Sequence, residues 1–148
     1  MYNTILVPLD GSQRAEKILP HVEALAQQFA SQLLLLQVVE PTISTVQVGG
    51  IVPYYNAAAM LNGWLAEARI YLATVKDQLH TQGIEARTIV GNGSIISSIL
   101  QVAQRENVDL IALASHGRTG LARAFYGSVA AGILNQADRP LLLIRAQA

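Results

Sequence analysis

The sequence predicts an α/β protein built on a single open parallel sheet. Five short apolar runs recur along the 148 residues, and most segments between them place apolar residues three and four positions apart, as in a helix. Strands that alternate with helices favour one sheet with right-handed crossovers and helices on both faces. The runs are nearly continuous rather than alternating, which is typical of parallel strands covered on both faces.

Each apolar run is predicted to form one strand of this sheet. The predicted strands lie at 4–8, 33–39, 86–90, 110–114 and 141–144. A chain of this length fits one domain, residues 1–148, and folding is expected to bury roughly 70% of the surface that the unfolded chain exposes. The chain is therefore long enough to enclose a sizeable core.

Four amphipathic segments are predicted to form the connecting helices. They lie at 15–30, 65–83, 94–107 and 128–137. Pro20 is a mild irregularity in the first turns of the first helix. Gly83 supplies the stop expected at the end of the second helix, and Ser94 is placed as the N-cap of the third.

The stretch 41–66 carries no charged residue, although it contains two tyrosines and a tryptophan. A connection longer than about 15 residues inside a compact domain is usually a lid, a binding loop or disordered. The aromatic residues and the absence of charge favour a lid or a partner-contact loop at about 41–63 over a solvent-exposed loop. Met60 and Trp64 are four positions apart, which predicts that they mark the buried face of a short helix.

Composition excludes several classes of function. Apolar residues make up 51% of the chain, and ten basic residues balance ten acidic ones, so neither a nucleic-acid surface nor a polybasic membrane patch is predicted. There is no cysteine, and the three histidines lie far apart, so a protein-bound zinc ion is not expected. The start of the chain lacks the features of a signal peptide and no run reaches a membrane span, so we expect a soluble, cytoplasmic protein.

A glycine-spaced arc after the fourth strand is the strongest sign of a binding site. The arc, ASHGRTGLARAFYGS at 114–128, leads into a helix that starts near Gly127 and Ser128. A helix N-terminus presents unpaired N–H groups and a positive dipole end, which stabilise a phosphate. Gly117 and Gly120 would let the loop curl around the same anion, but their spacing alone leaves open a tight connection that holds no ligand. No P-loop sequence is present.

The sequence DGS at 10–12 ends the first strand and points to the same edge of the sheet. Ligands of open α/β sheets bind beyond the carboxyl ends of the strands, where the strand order reverses. A hydrolase is an alternative, because an acid, a base and a hydroxyl could meet at this edge in Asp10, His116 and Ser128. Neither Ser115 nor Ser128 lies in a G-x-S-x-G turn, so that alternative is not favoured. His116 is expected to shape the turn. Asp109, ahead of the fourth strand, is predicted to be a solvated charge.

Three motifs together resemble the universal stress protein family. ILVPLDGS opens the chain, VDLIALASHGRTGL precedes GSVA, and RPLLLIRA closes it, so the resemblance covers essentially the whole chain. The nucleotide-binding branch of this family carries Gly, two residues, Gly, nine residues, Gly, then Ser or Thr. Gly117, Gly127 and Ser128 match that pattern, whereas Ala114 replaces the first glycine.

The resemblance implies a fold and a ligand. The fold is a five-stranded parallel sheet of order 3-2-1-4-5, of the adenine nucleotide alpha-hydrolase-like or Rossmann-like kind, and the ligand is ATP or another adenine nucleotide with Mg²⁺ on its phosphates. Pro8, Leu9 and Asp10 would line the adenosine site, and the backbone of Val38 would meet the adenine edge. The phosphates would be held by Gly117, Gly127, Ser128 and Val129. Arg118 and Arg123 either reach a γ-phosphate or are solvated loop charges.

We therefore predict a stress-linked sensor or regulator that binds ATP and at most hydrolyses it slowly or phosphorylates itself. Because the family often pairs its last strand across a twofold axis, we expect a homodimer through Leu141 to Ile144, an edge strand. Two alternatives stay open. One is a partner-binding module with a vestigial nucleotide site, and the other is a protein that binds a cyclic dinucleotide.

Overall fold

The computed structural model describes the backbone of residues 1–41, 54–117 and 127–147, and all their side chains except those of 54–57, 116, 117 and 147. Nine helices and strands and one 3₁₀ turn follow one another in these ranges. They are β1 (Thr4–Pro8), the 3₁₀ turn (Ala15–Ile18), α1 (Leu19–Phe29), β2 (Gln32–Val39), α2 (Tyr54–Thr81), β3 (Ala86–Asn92), α3 (Ile95–Arg105), β4 (Leu110–Gly117), α4 (Ser128–Gln136) and β5 (Leu141–Gln147).

The five strands form one parallel sheet in the order β3-β2-β1-β4-β5. The predicted fold class and strand order are therefore confirmed. The order reverses at β1, which pairs with β2 on one side and β4 on the other, so a crevice opens between the carboxyl ends of β1 and β4. β5 lies at one edge, as predicted.

Two apolar layers cover the sheet, one on each face. In β2, Leu33 and Leu35 pack into the layer shared with α1 and α2, whereas Leu34 and Leu36 pack into the layer shared with α3 and α4. All four side chains are fully buried. Because successive strand residues point to opposite faces and both faces are covered, the strands appear in the sequence as continuous apolar runs.

Three strands are longer than their apolar runs. β3 continues to Asn92, β4 to Gly117 and β5 to Gln147. These strands extend past their apolar runs because their polar ends still pair with a neighbouring strand: Asn92 pairs with Val39, and Ser115 pairs with Arg145. Polar residues at the carboxyl edge thus remain in the sheet, where they border the crevice.

The first predicted helix divides into two elements. Residues 15–18 form the 3₁₀ turn, and α1 begins at Leu19 with Pro20 in its first turn, where the missing N–H costs no intrahelical bond. α1 ends at Phe29, and its C-cap residue, Ala30, adopts the left-handed conformation. Phe29 is 37% exposed, and its ring meets the edge of Tyr2 at a centroid distance of 5.3 Å.

The second helix, α2, is much longer than predicted. It spans 28 residues from Tyr54, so the described part of the predicted 41–63 loop, 54–63, is helical. Met60 is 52% exposed, and the prediction that it is buried is wrong. Among residues 58–81 of this helix, the first buried residue is Ala68. Residues 42–53 lie outside the described part of the chain.

Asp109 is not a solvated charge, contrary to the prediction. Its Oδ2 accepts hydrogen bonds from the backbone N–H groups of Asn3 and Thr4, both at 2.8 Å. The Asp109 N–H donates in turn to the Thr4 carbonyl at 2.9 Å. One carboxylate thereby fastens the start of β4 to the start of β1, at the opposite end of the sheet from the crevice.

Candidate functional site

A cleft of about 310 Å³ opens at the carboxyl edge of the sheet, where the strand order reverses. The ends of β1, β2 and β4 form its floor, and the first turns of α3 and α4 form its walls. It is lined by Pro8, Leu9, Asp10, Arg14, Ala15, Leu36, Val38, Glu40, Ile95, Ile99, Leu113, Ala114, Ser115, Gly127, Ser128, Val129 and Ala130. The lining combines apolar with polar and charged residues, which suits a ligand with a ring and a charged group.

Asp10 is held in a fixed orientation at the end of β1. The Leu9 N–H donates to the Leu36 carbonyl at 2.8 Å, which ties this end of β1 to β2. The Ser12 N–H and hydroxyl both donate to Asp10 Oδ1, and the Arg14 guanidinium donates to Oδ2 at 3.0 Å. Partial burial of Asp10 opposes ionisation, but the bonds from Ser12 and the charge of Arg14 outweigh it, so the pKa of Asp10 is lowered.

The first turn of α4 closes the opposite side of the cleft. Gly127 is the N-cap and accepts the first intrahelical bond from the Ala131 N–H at 2.9 Å, while Ser128 is the first helical residue rather than the cap. No side chain caps this terminus among the described residues. The N–H groups of the first turn have no intrahelical partner, so they remain available to an anion in the cleft.

Gly127 does not need the conformational freedom of glycine, because its φ is −59° and its ψ is 163°. Other residues adopt this backbone conformation readily. The backbone therefore does not exclude a side chain at this position.

Ala114 forms part of the cleft wall next to this helix terminus. It pairs with Ile144 in the β4–β5 ladder and is 9% exposed. Its methyl group packs with the layer that includes Ala15 and Ile144. Ala114 is the residue that stands where the resemblance predicts glycine, and the structure accommodates its methyl group inside the wall.

The structure brings most of the predicted site residues together. Those that line the cleft are Pro8, Leu9, Asp10, Val38, Ala114, Gly127, Ser128 and Val129. His116 and Gly117 continue β4 toward the cleft, although their side chains are not described. Arg118, Gly120 and Arg123 lie outside the described residues.

Nine of the lining residues were not predicted from the sequence, among them two charged residues and two isoleucines of α3. Arg14 follows Asp10 by four positions and reaches back to it across the loop, and Glu40 follows the last residue of β2. Ile95 and Ile99 belong to the first turns of α3, one turn apart. Their position directly after the third strand was the available signal, because every helix that follows a strand begins at the carboxyl edge.

Comparisons with known proteins find similarity along nearly the whole chain. A family model described as the universal stress protein family matches residues 1–145. Universal stress protein MJ0577 of Methanocaldococcus jannaschii is 28% identical, with 98% of this chain and 96% of that protein aligned. Universal stress protein YxiE of Bacillus subtilis is 31% identical, with 98% of this chain and 100% of that protein aligned.

Solved structures show the same fold. The structure of MJ0577 superposes with a TM-score of 0.82 at 28% identity and covers 100% of this chain and 97% of that one. A universal stress protein family member from Arabidopsis thaliana with AMP bound superposes with a TM-score of 0.64 at 15% identity. It covers 99% of this chain and 93% of that one, and at this identity it supports the fold alone.

Proposed function

Since the chain belongs to the universal stress protein family, we propose that it binds an adenine nucleotide, ATP before others, in the cleft and acts as a stress-response regulator. One observation carries the proposal. A fixed carboxylate, Asp10, and the uncapped N-terminus of α4 border the same cleft at the reversal of strand order. The first suits ribose hydroxyl groups and the second suits phosphate, so one nucleoside phosphate would engage both.

The apolar part of the lining is suited to the base. Leu36, Val38, Ile95, Ile99 and Leu113 line this part of the cleft, so a planar ring would lose water on both faces. The backbone of Val38 would supply the hydrogen bonds to the adenine edge. The proposal thus gives the adenine, the ribose and the phosphates each a distinct part of the lining.

A Mg²⁺ ion would be held mainly by the phosphates. In the described ranges no group of three or more His, Asp or Glu side chains could hold a metal ion by itself. Asp10 and Glu40 line the cleft and carry the carboxylate oxygens that Mg²⁺ prefers. The ion would neutralise phosphate charge beside them.

We expect regulation rather than rapid turnover. Asp10, Arg14 and Glu40 are the titratable groups among the described lining residues. Asp10 has a lowered pKa and both of its oxygens are engaged by Ser12 and Arg14, so it is a poor general base. ATP hydrolysis or autophosphorylation, where it occurs, should be well below the ordinary enzyme rate of about 1 per second. A cytoplasmic regulator would match this chemistry.

The first test is to identify the nucleotide and then remove its phosphate site. Freshly purified protein is denatured and any released nucleotide is identified by mass spectrometry, and stripped protein is titrated with Mg²⁺ and ATP. Gly127→Asp should weaken binding at least about tenfold, because it places a carboxylate where the phosphates lie. Asp is a favoured N-cap and the backbone at 127 suits it, so α4 should remain intact.

Gly63→Asp is the matched control. Gly63 is an exposed position on α2 with open space around it, so the variant adds the same charge away from the cleft. It should bind ATP like the wild type. Equal binding by Gly127→Asp and the wild type would contradict the proposed phosphate site.

The methyl group of Ala114 supports a second candidate, a partner-binding module with a vestigial nucleotide site. In that case no adenine nucleotide is released, and stripped protein does not bind ATP. The same titration of Ala114→Gly distinguishes a functional nucleotide site from a vestigial one. ATP binding gained only by this variant would show that the methyl group closes the site. Release of a cyclic dinucleotide instead would redirect the proposal to that ligand, which would use the same helix N-terminus.

We also propose that two copies of the chain pair through β5. The proposal rests on the family's habit of pairing this strand and on the position of β5 at the sheet edge.

A further inference from the structure

A second cavity, of about 450 Å³, lies between β2 and α2. It is lined by Asp10, Gly11, Gln37, Val38, Val39, Trp64, Glu67, Ala68 and Tyr71. Val38 packs toward the layer of α3 and α4, whereas its neighbour Gln37 must point to the opposite face, toward α2. The cavity therefore lies on the other face of the sheet from most of the nucleotide cleft and meets it only near Asp10 and Val38.

The polar groups of this cavity are rich in acceptor oxygens. Gln37 Oε1 is buried and has no hydrogen-bond partner among the described residues. The Tyr71 hydroxyl donates its single proton to Glu16 Oε2 at 2.6 Å, so its oxygen can only accept from a ligand. Burial and the neighbouring Glu16 raise the pKa of Tyr71, so this proton stays in place near neutral pH. The carboxylate of Glu67 completes the set, whereas that of Asp10 is already engaged by Ser12 and Arg14.

The charge and the aromatic groups favour the same kind of ligand. Among the described lining residues, two are acidic and none is basic. Trp64 and Tyr71 lie seven positions apart on α2, so both rings project from the same face of the helix toward the cavity. An aromatic face attracts a cation, most strongly when the ring is tryptophan.

We propose that this cavity binds a small organic cation that carries N–H groups, a primary or secondary ammonium. Its N–H groups would donate to Gln37 Oε1, which otherwise stays buried without a partner at a cost in free energy. Glu67 would balance its charge, and Trp64 would cover its carbon chain. A quaternary ammonium has the charge but no donor, and an alcohol has a donor but no charge, so both should bind more weakly.

The chain carries its own probe for this site, because Trp64 is its single tryptophan. Nucleotide-stripped protein is titrated with 1,4-diaminobutane while the fluorescence of Trp64 is followed, and calorimetry measures the same binding independently. Tetramethylammonium and 1-butanol are titrated in parallel. We expect saturable binding of the diamine that is at least about tenfold tighter than binding of either comparison compound.

Two variants test the residues that carry the proposal. Glu67→Gln and Gln37→Leu should each weaken diamine binding at least about tenfold. Asp77→Asn is the matched control, since it removes one carboxylate from an exposed position on the same helix, away from the cavity. It should leave the affinity unchanged.

The result that overturns the proposal is absence of saturable binding, or equal affinity for the diamine and tetramethylammonium. Equal losses in Glu67→Gln and Asp77→Asn would also overturn it, because attraction would then come from overall charge alone. Gly127→Asp should bind the diamine like the wild type. The nucleotide proposal and the cation proposal are therefore tested independently, and failure of either one does not contradict the other.

Discussion

Asp109 makes structural hydrogen bonds that nothing in the sequence indicates. Its carboxylate accepts hydrogen bonds from the backbone N–H groups of Asn3 and Thr4, and its own N–H donates to the Thr4 carbonyl. A carboxylate beside a strand start has no local signature, because its partners lie more than a hundred positions earlier in the chain. The resemblance to a family did not assign this residue a role either, so only the structure shows the contact.

Asp109→Ala should lower the free energy of unfolding by about 1.5–3 kcal/mol. This is the range for hydrogen bonds to a charged group, and the substitution leaves the part-buried Thr4 N–H without its carboxylate partner. Urea unfolding followed by circular dichroism measures the change.

Asp77→Ala provides the comparison, because Asp77 is an exposed charge on α2. It should change the free energy of unfolding by no more than about 0.5 kcal/mol. Similar values for the two variants would mean that the Asp109 contacts add nothing to stability.

The helices α3 and α4 approach each other closely at one glycine. A Cβ atom on Gly132 would lie 2.3 Å from Cδ1 and 3.0 Å from Cγ1 of Ile96. A side chain at position 132 would therefore displace the end of the Ile96 side chain, whereas glycine, a poor helix former, leaves it in place. This contact also helps to hold α4, whose first turn faces the nucleotide cleft.

Gly132→Ala should destabilise the protein by at most about 1 kcal/mol, because moving the end of the Ile96 side chain costs slightly more than the gain in helix propensity of about 1 kcal/mol. The Ile96→Val variant removes Cδ1, the atom nearest to the added methyl group. In that background Gly132→Ala should be neutral or stabilising. A double-mutant cycle from thermal or urea unfolding measures the coupling, and additive effects would contradict the contact.

The elements also show what the sequence can and cannot predict. The strand interiors and the order of elements follow from apolar runs and helical spacing, which are local signals, so they were predicted correctly. The strand ends were not, because polar residues such as Asn92 and Ser115 stay in the ladder through pairing with another strand. The start of α2 was missed because the sequence of this helix carries no charged residue before Glu67, so it shows no amphipathic stripe there.

The candidate site was predictable to a similar degree. Asp10 and the turn at Gly127 follow strands directly, and strand ends of a parallel sheet meet at one edge, so their convergence follows from topology. Arg14 and Glu40 were missed because their approach depends on the path of two loops. Gln37 gave no signal, because an unpartnered oxygen becomes visible only when its surroundings are known.

At the scale of the whole molecule, β5 is an edge strand, and among the described residues only β4 pairs with it. The Pro140 carbonyl accepts from the Ile111 N–H at 3.0 Å, so residue 140 faces β4. In a parallel ladder alternate residues face the same neighbour, which turns the N–H groups of Leu141 and Leu143 outward. These are the groups that a second copy of the chain would meet in the proposed dimer.

Leu143→Pro removes one outward N–H and should convert the proposed dimer into a monomer at micromolar concentration. Proline is tolerated on an edge strand where its nitrogen faces away from the ladder, so the fold should survive, as circular dichroism would verify. Leu142→Pro is the contrasting variant, because its N–H faces β4 and its loss should unfold β5 instead. Light scattering coupled to size-exclusion chromatography measures the mass. A folded Leu143→Pro dimer, or a wild type that is already monomeric, would show that β5 is not the interface.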